Sequence, residues 1–184
     1  MTERARFGGR SPGCLEFQQA IWQHYGALFS EYGFDIAEQR DSAGEHCMLI
    51  LESPDCRFRF IFDRGSAEVH AGRKHARALW TERTEASQEW FAISTVLDYL
   101  AGRPKPNLKD IMAQSREALA LTSEERMAQT AARVRAAAKE IIRLFGQDLP
   151  PDEWQAFLAY YADNQDLARE LAEKFGRPSG KGTS

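Results

Sequence analysis

The chain has 184 residues, the length of one ordinary domain, and 43% of them are hydrophobic, which is enough to build a packed core. Its 24 basic and 27 acidic side chains give a formal net charge of −3, which excludes a whole-protein electrostatic attraction to nucleic acid or to an anionic membrane. No apolar run approaches the roughly 18 residues that span a bilayer, and no export signal opens the sequence. We therefore expect a cytoplasmic protein with no membrane association.

Composition divides the chain into four parts. Both ends are rich in Gly, Pro and Ser and have almost nothing to bury, which predicts disordered tails at 1–13 and 177–184. Between the tails, the pattern predicts an α+β domain over 14–103 and an all-helical segment over 107–176 that packs on it. The boundary is the stretch "RPKP", because its two prolines disfavour helix on either side.

The α+β domain is predicted to begin with a helix, because apolar residues after Leu15 recur at three- and four-residue steps and Gly33 is a typical helix stop. The segments "FDIAEQR", "CMLILES", "CRFRFIFD" and "SAEVHAG" then predict four strands. In meander order they form a four-stranded antiparallel sheet with the helix across one face. The segment "SQEWFAISTVLDYLAG" predicts a second packing helix, with Ser87 as its N-cap.

Two turns set the register of this sheet. We take Pro54-Asp55 as one turn and Arg64-Gly65 as the next. Pairing residues outward from either turn places Phe58, Phe60 and Phe62 on the same apolar face. A slip of one residue would move all three rings to the opposite face. The agreement between the turns therefore predicts that the three rings lie in the core.

The opposite face carries Arg57 and Arg59. In the predicted register Glu52 lies opposite Arg57, and Glu68 lies a diagonal step from Arg59. The simplest interpretation is cross-strand ion pairing on a partly solvated face. Two alternatives stay open, a partner-binding surface and a face covered by the C-terminal helices. They stay open because this face also carries three apolar residues, Met48, Ile50 and Ile61.

The helical segment is predicted to contain a helix starting at Asn107, a long helix over 122–146 and a last helix that stops at Gly176. Along the long helix Arg135, Lys139 and Arg143 step by four residues, and such a basic stripe can follow phosphates. Acidic residues on the same helix favour a solvated charged face instead.

The last helix carries four aromatic residues within eight positions. Trp154, Phe157 and Tyr161 share one face and are predicted to pack inward, whereas Tyr160 is rotated by about 100° towards solvent or the sheet. Tyrosine is favoured at interfaces, because its ring is apolar and its hydroxyl can stay hydrated. We therefore expect a partner-binding surface around Tyr160, Arg135 and Lys139; in the alternative, Tyr160 only closes the edge of the core.

The sequence shows no catalytic or metal-binding motif. It has no G-x-S-x-G, no P-loop and no C-x-x-C. Cys14, Cys47 and Cys56 are predicted to be free thiols in a reducing compartment, because Cys47 and Cys56 lie at opposite ends of one hairpin. These observations favour a non-enzymatic protein with no cofactor and no metal.

About half of the chain, residues 15–102, resembles a group of small, uncharacterised bacterial α+β proteins. The resemblance lies in the stretches "LESPDCRFRFIFDRG" and "EWFAISTVLDYLAG". The shared features are the Leu-Glu-Ser-Pro turn, the Asp-Arg-Gly hairpin and an aromatic-led helix. The resemblance implies a protein-interaction module, for example an immunity or accessory subunit of a toxin or defence complex, whose partner is another protein. A nucleic-acid-binding accessory protein that uses the basic stripe is the alternative, and an enzyme without a recognisable motif is the third. The oligomeric state stays open.

Overall fold

The structure, a computed structural model, describes residues 12–42, 46–63, 66–77, 89–104 and 121–175, together with the single positions 107, 109, 110, 113 and 120. Several sequence predictions lie outside the described residues: the tails up to residue 11 and from 177, the N-cap Ser87 and most of the helix expected after Asn107. The first helix begins at Pro12, which is within the predicted N-terminal tail.

The described residues form five helices and five strands. In chain order they are α1 (Pro12–Tyr32), β1 (Asp35–Ser42), β2 (His46–Glu52), β3 (Cys56–Asp63), β4 (Ser66–Arg73), β5 (Trp90–Ala92), α2 (Ile93–Leu100), α3 (Ser123–Ala136), α4 (Ala138–Phe145) and α5 (Pro151–Phe175). None of these described helices is long and apolar enough to cross a membrane.

The strands form an antiparallel meander in the order β1-β2-β3-β4-β5, so the predicted α+β class and antiparallel sheet are confirmed. The predicted number of four strands is wrong, because Trp90–Ala92 forms a short fifth strand where a helix was expected. Aromatic side chains favour strands. Gly72 on β4 lets β5 approach closely, because a Cβ atom at this position would clash with the carbonyl oxygen of Glu89 at 2.6 Å.

The predicted register is confirmed. Leu49 lies opposite Phe60, and Phe60 lies opposite Val69. Phe58 and Phe60 are fully buried, while Phe62 is half-buried and stacks on Phe17 with 5.3 Å between ring centroids. The helix α1 therefore covers this face of the sheet, as expected.

The C-terminal helices pack on the same core, and the aromatic ring of Phe91 lies at the junction. The predicted inward positions of Phe157 and Tyr161 are confirmed by exposures of 0% and 1%, while Trp154 is half-buried. The rings that lie within 5.6 Å of the Phe91 centroid belong to Phe145, Trp154, Phe157 and Tyr161.

The predicted helix over 122–146 is divided into α3 and α4 at Ala137, whose backbone departs from helical values with a φ of −109° and a ψ of 15°. A capping box begins α3: the amide of Glu125 donates to the Thr122 hydroxyl, and the Thr122 amide donates to the Glu125 carboxylate. The apolar pattern of this segment alternates steps of four and three residues. Val134 and Ile141, which lie on either side of Ala137, are both buried.

The prediction of three free thiols is wrong, because Cys14 and Cys47 form a disulfide with 5.8 Å between their Cα atoms. Cys14 lies on the buried stripe of α1, and Cys47 lies on the face of β2 that α1 covers. Cys56 is a buried free thiol. The disulfide is the form that cysteine pairs take in an oxidising environment, so it does not support the reducing compartment that the sparse cysteines predict.

Candidate functional site

The strand β4 is paired along its whole length on one side and only in part on the other. Its partner β3 pairs with all eight residues from Ser66 to Arg73. The short strand β5 reaches only His70, Ala71 and Gly72, because α2 begins directly after Ala92. In the described structure, the first four residues of β4 therefore have an open edge.

Backbone groups of two residues point to this open edge. The Ser53 amide donates to the carbonyl oxygen of Cys56 at the start of β3, and because alternate residues of a strand face opposite neighbours, Asp63 directs its backbone groups to Ser66 on β4. Alternate residues along β4 then direct their N–H and C=O groups away from β3, which applies to Ala67 and Val69. These two residues present donors and acceptors that an additional strand can pair with.

A groove runs along the open edge, between β4 and the helices α3 and α5. It consists of two adjoining cavities of about 430 Å³ and about 220 Å³, which share Ala67, Val69 and Thr130 as lining residues. We call it the β4 groove. Its other principal lining residues are Glu68, His70, Ser94, Arg126, Met127 and Tyr161.

The upper side of the β4 groove combines a negative charge with a neutral imidazole. Burial, and then the charge of Arg59, lower the pKa of His70 from 6.5 to about 3, so the ring is uncharged at neutral pH. The exposed Glu68 carboxylate lies 3.9 Å from Nε2 of His70, which is too long for a hydrogen bond. Glu68 is therefore an available anion at the mouth of the groove.

On its helical side, the β4 groove is lined by the apolar side chain of Met127 and by the hydroxyl groups of Thr130 and Tyr161. The backbone amide of Ala92 donates to the Tyr161 hydroxyl at 3.2 Å, which ties the end of β5 to α5. Met127 is buried, and Thr130 is half-buried beside it on α3. Arg126 lies further along the groove, where its guanidinium donates to the carbonyl oxygen of Leu121 and to Ser123.

The predicted arginine face is not a solvated surface. Arg59 is 1% exposed, and its guanidinium carbon lies 4.8 Å from the centroid of the Trp90 ring. Arg57 pairs with Glu52, as the register predicted, and also donates to the carbonyl oxygen of Ala76 at 2.7 Å. Apolar residues on this face form a second small core, made of Met48, Ile50, Ala76 and Trp90.

The other predicted site residues lie apart from the β4 groove. Arg135 and Lys139 are exposed on either side of Ala137. Arg143 is paired with Glu153 at 2.8 Å. Tyr160 is half-buried, with its ring centroid 5.4 Å from that of Tyr99.

Sequence reasoning missed the residues of the β4 groove, because they contain no motif. Their importance arises from a difference in length between β4, with eight residues, and β5, with three. The available signal was the aromatic pair Trp90-Phe91 immediately before a helical pattern, which is typical of a short strand that ends early.

The chain was compared with models of known protein families, with curated proteins and with solved structures, and it matches none of them.

Proposed function

We propose that this protein is a non-enzymatic protein-interaction module that binds an extended segment of a partner protein as an added strand along β4. The observation that carries the proposal is the open edge at Ala67 and Val69, flanked by a groove. Backbone hydrogen bonds give such a complex its affinity, and pockets for alternate side chains give it specificity.

The lining of the β4 groove indicates what segment fits. Cross-strand neighbours lie on the same face of a sheet, so partner residues beside Ala67 and Val69 face the apolar side at Met127. A partner residue beside Glu68 faces its carboxylate. We therefore infer a segment of about four residues that alternates small apolar residues with a central Lys or Arg.

The chemistry of the groove argues against His70 as a general base. A general base works best with a pKa near the operating pH, and the pKa of His70 is about 3. The buried imidazole is better suited to filling space and offering a neutral polar group than to accepting a proton.

The proposal is tested by removing one outward N–H group. Ala67→Pro deletes this donor without touching a hydrogen bond to β3, because the residue faces the open edge. Ala67→Ser retains the N–H and serves as the matched control. Peptides of seven random residues, displayed on phage, are selected on the unmodified protein and then measured against both variants.

We expect selected peptides to contain Lys or Arg between small apolar residues. Ala67→Pro should weaken their binding at least tenfold, Glu68→Gln should weaken it severalfold, and Ala67→Ser should leave it unchanged. The melting temperatures of all three variants should stay close to that of the unmodified protein. Peptides that bind Ala67→Pro as well as the parent protein would place the interface elsewhere, for example at Tyr160 with Arg135 and Lys139.

The more specific role as a bacterial immunity or accessory subunit rests on the sequence resemblance and stays a prediction. Nucleic-acid binding by Arg135, Lys139 and Arg143 is the alternative. It requires an affinity that falls steeply with salt concentration. Each phosphate contact should make the affinity fall about tenfold for each tenfold increase in salt. Strand addition depends mainly on backbone hydrogen bonds and should show a shallow salt dependence.

A further inference from the structure

A cluster of potential metal ligands lies among the described residues, outside the β4 groove. Its members are the sulfur atoms of Cys14 and Cys47 and a carboxylate oxygen of Asp41, and these atoms all lie within 4.8 Å of one another. Both cysteines are buried and Asp41 is half-buried. The disulfide brings the two sulfur atoms together, and the pairing of β1 with β2 places the carboxylate beside them.

Three separate elements build the cluster. Asp41 on β1 lies directly opposite Cys47 on β2, so their side chains share the face that α1 covers. Cys14 is the third residue of α1.

We propose that reduction of the Cys14–Cys47 disulfide converts this cluster into a zinc site. Zinc prefers thiolate, imidazole and carboxylate ligands in a tetrahedral arrangement, and two thiolates with one carboxylate supply three of the four positions. Water takes the fourth. The same pair of cysteines thus has two exclusive states, a disulfide in an oxidising compartment and a metal site in a reducing one.

The chemistry of the switch balances. A dithiol reductant supplies two electrons and two protons: the bond between the two sulfur atoms breaks, two S–H groups form, and the reductant becomes a cyclic disulfide. Zinc then displaces both thiol protons, which are released to solvent. Bound zinc should therefore slow reoxidation, because the sulfur electron pairs that attack an oxidant are held by the metal.

The test is zinc and cobalt titration of the full chain, reduced with a phosphine and then desalted without oxygen. We expect the reduced chain to bind one zinc ion and the oxidised chain to bind none. Cobalt in place of zinc should give a thiolate-to-cobalt charge-transfer band in the near ultraviolet, which reports sulfur ligation directly and needs no variant.

The variant Asp41→Asn tests whether the Asp41 carboxylate binds the metal or only stabilises the fold. It should weaken zinc binding at least tenfold while the disulfide still forms on oxidation. Asp63→Asn, which removes an acid at the end of β3, is the matched control and should bind zinc like the parent protein. A reduced chain without zinc, a cobalt complex without the charge-transfer band, or zinc binding that Asp41→Asn leaves unchanged would each overturn the proposal.

Discussion

The ring of Phe91 joins the sheet to the C-terminal helices, and Phe91→Ala removes that junction. Phe91 is 1% exposed, and four aromatic rings lie within 5.6 Å of its centroid. Truncating a buried phenylalanine to alanine costs about 3–5 kcal/mol, because the lost transfer free energy is joined by the energy of the cavity left behind. Because four aromatic rings contact Phe91, we expect a loss of unfolding free energy near the upper end of that range, at about 4–5 kcal/mol.

The loss is measured by urea unfolding, followed by circular dichroism and by tryptophan fluorescence. In a chain of this length each kcal/mol lowers the melting temperature by about 2–4 °C, so we expect a decrease of roughly 8–20 °C. Phe91→Leu retains most of the buried volume and should lose less than about 1.5 kcal/mol. A loss below about 1 kcal/mol for Phe91→Ala would show that the helices do not pack on this ring.

Two further predictions concern stability. The disulfide closes a separation of 33 residues, and the chain-entropy relation gives a stabilisation of about 3–4 kcal/mol that reductant should remove in urea unfolding. Thiol titration of the unreduced, denatured chain should detect one thiol, Cys56, which is unreactive in the folded protein because burial raises its pKa to about 12. His70 has a folded pKa of about 3, below its unfolded value of 6.5, so the unfolded chain binds more protons between these values. Its contribution to stability is complete above pH 6.5 and decreases as the pH falls towards 3; near about pH 4.5 the parent protein should lose about 2–3 kcal/mol more than His70→Gln does.

The disulfide prediction and the His70 prediction would each be contradicted by a specific result. Three thiols in the unreduced, denatured chain would show that the disulfide does not form. Equal loss of stability with falling pH in His70→Gln and the parent protein would show that the imidazole is not held neutral by the fold.

The central sheet could be predicted from the sequence because local rules agreed with one another. Two turns independently placed Phe58 and Phe60 on the same face, and a sheet with one buried face tolerates only one such register. The positions of Phe157 and Tyr161 followed in the same way from the helical period.

The remaining features depend on tertiary contacts. A three-residue strand such as Trp90–Ala92 is too short to show a period, and it forms because β4 offers an edge and Gly72 offers space. The interruption between α3 and α4 at Ala137 has no proline or glycine to mark it. The disulfide does have a sequence signal, because Cys14 continues the apolar stripe of α1 and Cys47 lies on the inward face of β2.

The candidate site was harder to predict than the fold. The alternation of β3 predicts that Arg59 lies on a partly solvated face. Arg59 is instead buried beside Trp90, which lies on a strand that the sequence does not reveal. The β4 groove likewise depends on where β5 ends, and no single residue marks that point.

Amide hydrogen exchange measured by NMR tests the open edge most directly, in the free protein and then with a selected peptide. In the free protein, Ala67 and Val69 should exchange rapidly, while Glu68 and His70, whose amides face β3, should be protected. A bound peptide should slow exchange at Ala67 and Val69. Protection of these two amides in the free protein, or no change there when the peptide binds, would contradict strand addition along β4.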